Sequence, residues 1–589
     1  MGDSLAARLF AFAAEEPDRV AVHILRSDAR GVFRDEAVSL RDWRQGALAR
    51  AAALQRRGLK RGDRVLICMR TGRPFLEAFL GAQALGMVPV PLPSLEGFAR
   101  PAAFVNRLNS VVQDAAPSAV FADARTADHL RKSGLLGKDL PVVEPASLAD
   151  GSLPEPAPAE GDETALIQYT SGSTGTPRGV VITAANLVAN ATAMGRALQL
   201  THADRFVSWL PLYHDMGLIG GLLTPLAHGG TCWLLSPLEF MLRPSSWLRA
   251  ISQVRATFTV APNFAYRLVG KIPDEDLRGL DLSALRAVIN GAETVDPDTA
   301  EAFCVRLAPL GLQRSAYFPV YGLAECTLSV AFPPLGRGVK IDHVRRDALA
   351  NGQALPAEPG PGIMRVVSVG QAIDGHEVAV VDPETHVPLA ERRLGEIWVS
   401  GPSVSPWYFE GHQPTRSRRS SLRTGDVGYL ADGELYIVDR LKDLVIVAGR
   451  CYSPSDIERA AEGVEGVRAG RTVAFGVADV GTGTESLVLL VEVRPRSAGV
   501  LRKLAETIRK RVLEQIDLAP AEVMLLRPGA LARTSSGKLM RRDARDRYAS
   551  GGLDGERAAQ PPFPLRLVRA ARGALLRFVA RRRAAQRST

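Results

Sequence analysis

The chain has 589 residues and a mass of 63.2 kDa, longer than one ordinary hydrophobic core sustains, so two or more domains are expected. Its 46% apolar and 23% charged residues exclude global disorder, collagen-like and coiled-coil architectures. The formal charge of +10 is local: residues 560–589 hold eight arginines and no acid, which leaves the body near neutral and gives no electrostatic ground for a nucleic-acid partner.

The chain starts MGDSLAARLFAFAAEEPDRV, with acids at Asp3, Glu15 and Glu16 and no basic stretch before an apolar core, so no secretory signal is expected. Ala6 stands where a myristoylation signal needs Ser or Thr. Five cysteines, at 68, 232, 304, 326 and 451, form no C-x-x-C pair and no zinc-spaced cluster, and a reducing cytoplasmic location fits them.

In chain order, residues 40–58 predict an amphipathic helix closed by Gly58, residues 63–69 a buried strand, and residues 75–86 a second helix with a glycine stop. Such alternation points to a parallel sheet covered by helices. A Pro/Glu/Ala loop at 151–163 precedes the strand 164–169, and helix–strand alternation continues to about residue 330. The uncharged run Met216–Leu238 is long enough to span a bilayer, but its five glycines, two prolines and His228 predict a buried strand-and-loop core. From Val366 short β runs separated by Gly and Pro suggest a small barrel-like module, and after Arg440 comes a smaller α+β piece ending near Tyr548. The segment 561–583 is basic, yet Arg569, Arg572 and Arg583 break its apolar side. It reads as a solvated tail or, secondarily, a contact for an anionic membrane or protein.

The most informative segment is YTSGSTGTPRGV, Tyr169 to Val180, directly after an apolar strand. Small residues let backbone N–H groups and hydroxyls close around a polyphosphate, and Arg178 adds a fixed positive charge. The P-loop pattern G-x-x-x-x-G-K-[ST] is absent, so this is a phosphate cradle of another kind.

The loop resembles the signature of the adenylate-forming superfamily, which includes acyl-CoA synthetases, peptide-synthetase adenylation domains and luciferases. Further segments resemble that superfamily in order: LPLYHDMGLIGG (210–221), INGAETV (289–295), YGLAECT (321–327), RTGDVGYL (423–430), DRLKDLVIVAGRCYSPSDIE (439–458) and RTSSGKLMRR (533–542). The wording of WLPLYHDMGLIG, APNFAY and NGAETV is most similar to the fatty acyl-AMP ligases. So is the segment Val339–Gln371, which stands where those ligases carry an insertion that braces the large domain against the small one and hinders CoA-dependent chemistry.

The resemblance implies an α/β protein. Residues 1–438 would form an N-terminal adenylation (AMP-binding) domain of doubly wound βαβ subdomains plus a small β-barrel module. Residues 439–548 would form a mobile α+β C-terminal domain hinged near Lys442, and residues 549–589 an Arg-rich tail, disordered or helical. The implied reaction joins a fatty acid to ATP as fatty acyl-AMP with loss of pyrophosphate, then passes the acyl group to the phosphopantetheine thiol of an acyl carrier protein. A fatty acyl-CoA synthetase is the alternative within this chemistry, and a non-catalytic acyl- or carrier-binding protein the alternative outside it.

By the same resemblance Thr170, Ser171, Gly172, Ser173, Thr174, Gly175 and Arg178 would hold the phosphates. Glu325 and Thr174 would hold Mg2+, which offsets phosphate charge. Tyr321, Gly322, Gly291, Ala292 and Glu293 would wall the adenine, and Asp426 with Arg440 would take the ribose. His214 would stand near the acyl carboxylate, and Lys538 would be delivered by the mobile domain to the α-phosphate and the attacking acid. Taken alone, a Glu in such a turn faces solvent, a Tyr packs a core, a lone His is structural and a Lys near a chain end lies on the surface. The surrounding motifs change those readings. Three departures from the superfamily's wording, Arg178 for Lys, TAAN (183–186) lacking the His often found before Ala-Asn, and Cys451 for Asn, remove no group the reaction needs.

Overall fold

The computed structural model describes residues 4–557 except 29–30, 96–100, 134–139, 145–152, 171–176, 406, 411–412, 417–420, 449, 480–483, 495–496, 534–538 and 554. Its centre is a seven-stranded sheet in the order Tyr317–Pro319, Ala287–Gly291, Phe258–Pro262, Arg205–Ser208, Thr231–Leu235, Val20–Ser27 and Phe33–Ser39. Neighbours pair in parallel except at the last hairpin. The expected helix–strand alternation produces this because parallel strands need crossovers, which cover both faces and bury the strands completely. Phe258–Pro262 and Ala287–Gly291 are buried at every position.

The first helices follow the sequence closely: Leu40–Arg56 ends before Gly58, which takes φ +82°, and Arg73–Ala84 ends before Gly86 at φ +66°. Between them Arg64–Cys68 joins an all-parallel four-stranded sheet with Val88–Pro91, Ala119–Ala122 and Val142–Val143. The strand Thr164–Thr170 pairs antiparallel with Arg178–Thr183, which brings Thr170 and Arg178, the two ends of the phosphate-cradle segment, opposite each other. Thr183 then caps the helix Ala184–Ala197 with a reciprocal box, its Oγ1 accepting from Asn186 N at 3.1 Å while Asn186 Oδ1 accepts from Thr183 N at 3.2 Å.

The uncharged run Met216–Leu238 departs from the expected strand and loop. Its first half is a π-helix, Met216–Leu223, continued by Thr224–Ala227, and only Thr231–Leu235 is a strand. The glycines that argued against a helix are what let this one pack. A Cβ at Gly217 would lie 2.4 Å from Pro211 O, and one at Gly221 3.0 Å from Ser208 Oγ. Helix propensity is overridden where the backbone itself must approach its neighbours.

After residue 363 the short β runs form an antiparallel four-stranded sheet, Glu377–Val381, Gly395–Ser400, Leu422–Ala431 and Glu434–Arg440. The segment Val339–Gln371 contributes a hairpin of Ile341–Arg345 and Ile363–Val367 with a short helix, Arg346–Ala350, between them. Beyond Arg440 a second four-stranded sheet, Thr472–Asp479, Thr484–Glu492, Glu522–Leu526 and Gly555–Arg557, carries its own core. Ala474, Leu487, Leu489 and Val523 pack under the helices Pro454–Glu462 and Ala498–Ile516, while Val473, Phe475, Val488 and Met524 pack under Arg541–Ser550. This is the period-two alternation of a sheet covered on both faces. Its fourth strand, paired antiparallel to Met524–Leu526, falls inside the segment read from the sequence as tail. The basic residues 560–589 lie outside the described residues. Among the described residues no helix is long and apolar enough to cross a membrane.

Candidate active site

The carboxyl ends of the parallel strands open into one cavity of about 1880 Å³, whose walls come both from the large sheet's loops and from residues after Arg440. Loops at this end of a parallel sheet are where such folds take ligands. Of the residues singled out in the sequence, Thr170, Arg178, His214, Gly291, Ala292, Glu293, Tyr321, Gly322, Glu325, Asp426 and Arg440 all line it. Residues 171–175 and Lys538 lie outside the described residues. Their flanks do not: Thr170 and Arg178 face each other in register across the hairpin, and Arg533 bridges to Leu539, all four lining the cavity.

Tyr321, Asp426 and Arg440 form one unit. The Tyr321 hydroxyl donates to Asp426 Oδ2 at 2.6 Å, and Arg440 Nε lies 3.1 Å from Asp426 Oδ1. Asp426 and Arg440 are register partners across the hairpin of Leu422–Ala431 and Glu434–Arg440, so the strand pairing itself sets the ion pair. The anchored hydroxyl fixes the ring, which is both core and cavity wall. Burial and the adjacent Asp426 carboxylate push the Tyr321 phenol well up, and Asp426 raises Arg440. A carboxylate offers about four acceptor sites, so two remain on Asp426 for further donors.

Beside this unit the backbone is pinched. A Cβ at Gly291 would sit 2.8 Å from Val320 Cγ2, and one at Gly322 only 2.0 Å from Leu328 O, while Ala292 holds φ +67°. A non-glycine residue in the left-handed region at a cavity wall is the kind of strain that collects at functional sites. Glu293 Oε2 accepts from Phe264 N at 3.1 Å.

Glu325 sits in the single turn Ala324–Cys326, its carbonyl accepting from Ser405 N at 2.8 Å. Burial raises its pKa, Arg440 opposes that, and the neighbouring carboxylates of Asp215 and Asp426 add to it. His214 Nδ1 lies 2.6 Å from Asp215 Oδ1, and Asp215 also accepts from Met216 N at 2.7 Å, capping the π-helix. Asp215 was not picked out in the sequence, although it adjoins His214 in the same motif. Gln168 was missed as well. Its Nε2 donates to Tyr213 O at 2.7 Å, and its buried Oε1 faces no partner among the described residues. Lys442 lines the cavity, its ammonium pKa lowered by burial and by Arg440.

Where the π-helix meets the cavity the lining turns largely apolar, and this apolar branch is made by Met216, Gly220 and Thr224, spaced by four, together with Met194, Leu328 and Phe332.

The wall after Arg440 is held to the large domain by charge. Arg346, from the short helix between Ile341–Arg345 and Ile363–Val367, gives Nε to Asp456 Oδ2 at 2.7 Å and Nη2 to Oδ1 at 3.3 Å. Arg459 reaches Asp456 at 3.1 Å and Asp296 at 3.8 Å, and Arg267 reaches Glu462 at 3.3 Å.

Comparison with known proteins identifies the family. The AMP-binding enzyme family matches residues 9–409. A long-chain-fatty-acid–AMP ligase, FadD26, of Mycobacterium marinum is 36% identical over 530 residues, covering 84% of this chain and 88% of that protein. A medium-chain-fatty-acid–[acyl-carrier-protein] ligase, JamA, of Moorena producens is 33% identical over 543 residues, covering 88% and 91%. Among solved structures, one from a study of fatty acyl-adenylate ligases of E. coli and L. pneumophila superposes with TM-score 0.84 at 32% identity, covering 93% of this chain and 98% of that one. A fatty acyl-adenylate ligase from L. pneumophila in complex with acyl adenylate and pyrophosphate gives TM-score 0.70 at 30% identity, covering 93% and 96%. The chain belongs to the AMP-binding enzymes of the adenylate-forming superfamily, and within them to the fatty acyl-AMP ligases.

Proposed function

We propose that this protein condenses a fatty acid with ATP to give fatty acyl-AMP and pyrophosphate, and hands the acyl group to the phosphopantetheine thiol of an acyl carrier protein in the cytoplasm. The observation that carries the reading is a single cavity in which Tyr321, Asp426, Arg440 and Glu325 meet the Thr170/Arg178 hairpin end at one side and an apolar branch at the other. A nucleotide and a long apolar acid need that pairing of environments.

In this reading Tyr321 and the Gly291–Glu293 wall take the adenine, and the free acceptor sites of Asp426 take the ribose with Arg440 alongside. Thr170 to Gly175 with Arg178 take the phosphates. His214, oriented by Asp215, faces the acid's carboxylate. Lys538, on a segment whose two flanks line the cavity, brings positive charge to the attacking oxygen and the α-phosphate. Such preorganised charge lowers the barrier because it needs no reorganisation as charge develops.

Mg2+ fits the chemistry of this site. Glu325 is a carboxylate crowded by two others, and the described residues hold no cluster of three protein ligands that would make a closed metal cage. A magnesium ion held by one protein carboxylate, with Thr174 and substrate phosphates, matches that donor set, and when bound it neutralises phosphate charge.

A domain boundary near residue 438, with the hinge at Lys442, completes the proposal. The Arg346–Asp456 contact from the inserted hairpin favours a carrier-protein acceptor over CoA, because it ties the small domain to the large one. Purified protein incubated with ATP and fatty acid should form acyl-AMP by mass spectrometry and support fatty-acid-dependent pyrophosphate exchange. It should acylate holo carrier protein faster than CoA. Absence of exchange with every acid would overturn the activity, and rapid acyl-CoA formation would overturn the choice of acceptor.

A further inference from the structure

The apolar branch is not wholly apolar. Thr224 lines it at 1% exposure, and Thr224 Oγ1 is buried without a hydrogen-bond partner among the described residues. Ser329, 4% exposed, lines the same branch, and the only acceptor its hydroxyl reaches among the described residues is the thioether of Met194 at 3.0 Å. A thioether is a weak acceptor. Two buried hydroxyls among aliphatic neighbours are unfavourable unless something bonds them, because Thr224 loses its water for no partner among the described residues and Ser329 for only a weak one.

Their place along the passage is set by the π-helix. Met216, at the start, lies near the chamber wall: a Cβ at Gly291 would be 3.9 Å from its sulfur. Gly220, one turn on, lies where a Cβ would meet Leu328 Cδ2 at 2.9 Å, and Thr224 is a further turn along the helix. Eight residues of helix from Met216 to Thr224 place that hydroxyl on the order of 10 Å along the passage, well beyond the second and third carbons of a bound acid.

We propose that the acid this protein adenylates carries a hydrogen-bonding oxygen, a hydroxyl or oxo group, on its chain, bound by Thr224 and Ser329. The inference rests on the ligase reading above and names its substrate class. A chain hydroxyl can donate to one of the two residues and accept from the other, while an oxo group can accept from both. A saturated chain of the same length leaves both unpaired, which is how a polar pocket rejects an analogue that lacks the matching group.

The test uses the full chain with ATP and, at equal length, palmitic acid and its positional monohydroxy and mono-oxo isomers, with kcat/KM read from acyl-AMP formation. The expected result is a maximum at one position past the third carbon, at least about tenfold above palmitic acid. The hydroxy and oxo series identify which oxygen is bound. Thr224→Val, which keeps the shape, and Ser329→Ala should each bring the ratio of preferred acid to palmitic acid down toward one, and Thr224→Ser should retain it. Equal rates across the series, or a preference that survives both Thr224→Val and Ser329→Ala, would overturn this proposal while leaving the ligase reading intact. Absence of acyl-AMP from every acid would overturn the ligase reading and this proposal with it.

Discussion

Replacing Arg346 by Ala should loosen the small domain. The guanidinium is 22% exposed and the Asp456 carboxylate 9%, so solvent screens their two-point contact only weakly. Removing one partner of a buried pair costs about 3–5 kcal/mol when the other charge is stranded. Here Arg459 still holds Asp456 at 3.1 Å, so the loss is nearer that of a charge-assisted hydrogen bond, about 2 kcal/mol. That corresponds to roughly a thirtyfold shift toward separated domains. Hydrogen exchange in the helix Pro454–Glu462 and protease cleavage near Lys442 should both accelerate by about that factor, with CoA-dependent transfer rising alongside. A double-mutant cycle with Asp456→Asn isolates the contact. If the two substitutions add to within about 0.5 kcal/mol, or if exchange in that helix is unchanged, the bridge carries no coupling and the reasoning fails. The pH dependence supplies a second check. Burial pushes the Asp456 carboxyl up, but Arg459 and Arg346 outweigh it and hold its pKa below the usual range. Its contribution is therefore present above the ordinary Asp value and lost as pH falls through the depressed one, so acid should release the domains in the wild type more than in Arg346→Ala.

Lys538→Ala should lower acyl-AMP formation by roughly two to three orders of magnitude while transfer from supplied acyl-AMP persists, a split that single-turnover assays of the two half-reactions resolve. Because burial raises the Glu325 pKa, the acid limb of kcat/KM should lie above the ordinary carboxylate range. Glu325→Gln should abolish that limb and the response to Mg2+ together. The matching stability term has the opposite sense: it is present below the ordinary Glu pKa and lost as pH rises through the raised value, which thermal melts against pH can follow. Tyr321→Phe removes the 2.6 Å bond to Asp426 and should raise KM for ATP about tenfold with a smaller change in kcat. A chain ending at Arg557 should melt like the full protein, whereas one ending at Leu553 loses the edge strand on Met524–Leu526 and should melt lower, by on the order of 1–2 kcal/mol in stability.

Much of the site was legible because its residues sit in short contiguous segments. The strand ends at Thr170 and Arg178, the turn at Glu325 and the strands that pair Asp426 with Arg440 each put their chemistry within a few positions of one another. Local pattern was enough for the helices Leu40–Arg56 and Arg73–Ala84, whose glycine stops take the positive φ expected of them, but not for the helix Leu5–Glu15, which has no such stop. It failed at Met216–Leu223, where every side chain but that of Gly220 is buried and hydrophobic periodicity vanishes. It failed again at Gly555–Arg557, three polar residues that become a strand only because Met524–Leu526 offers an open edge. Gln168 and Thr224 gave no signal at all. Their significance lies in an unanswered acceptor or hydroxyl, which requires knowing what surrounds them in space.

The close approach at Gly322 constrains any attempt to retune this enzyme. Gly322 and Ser329 face each other across one antiparallel hairpin, with Tyr321 opposite Ala331, and the connecting turn carries Glu325. The residues proposed to meet the nucleotide and the Ser329 hydroxyl proposed to meet the acyl chain thus belong to a single ribbon. A designer, or natural drift, altering positions 328–332 would also shift the turn that carries Glu325. Leu198, which lines the cavity just past the helix Ala184–Ala197, lies off that ribbon, so new chain preferences are easiest to evolve from there; Met194 is not equivalent, because its sulfur takes the Ser329 hydroxyl at 3.0 Å.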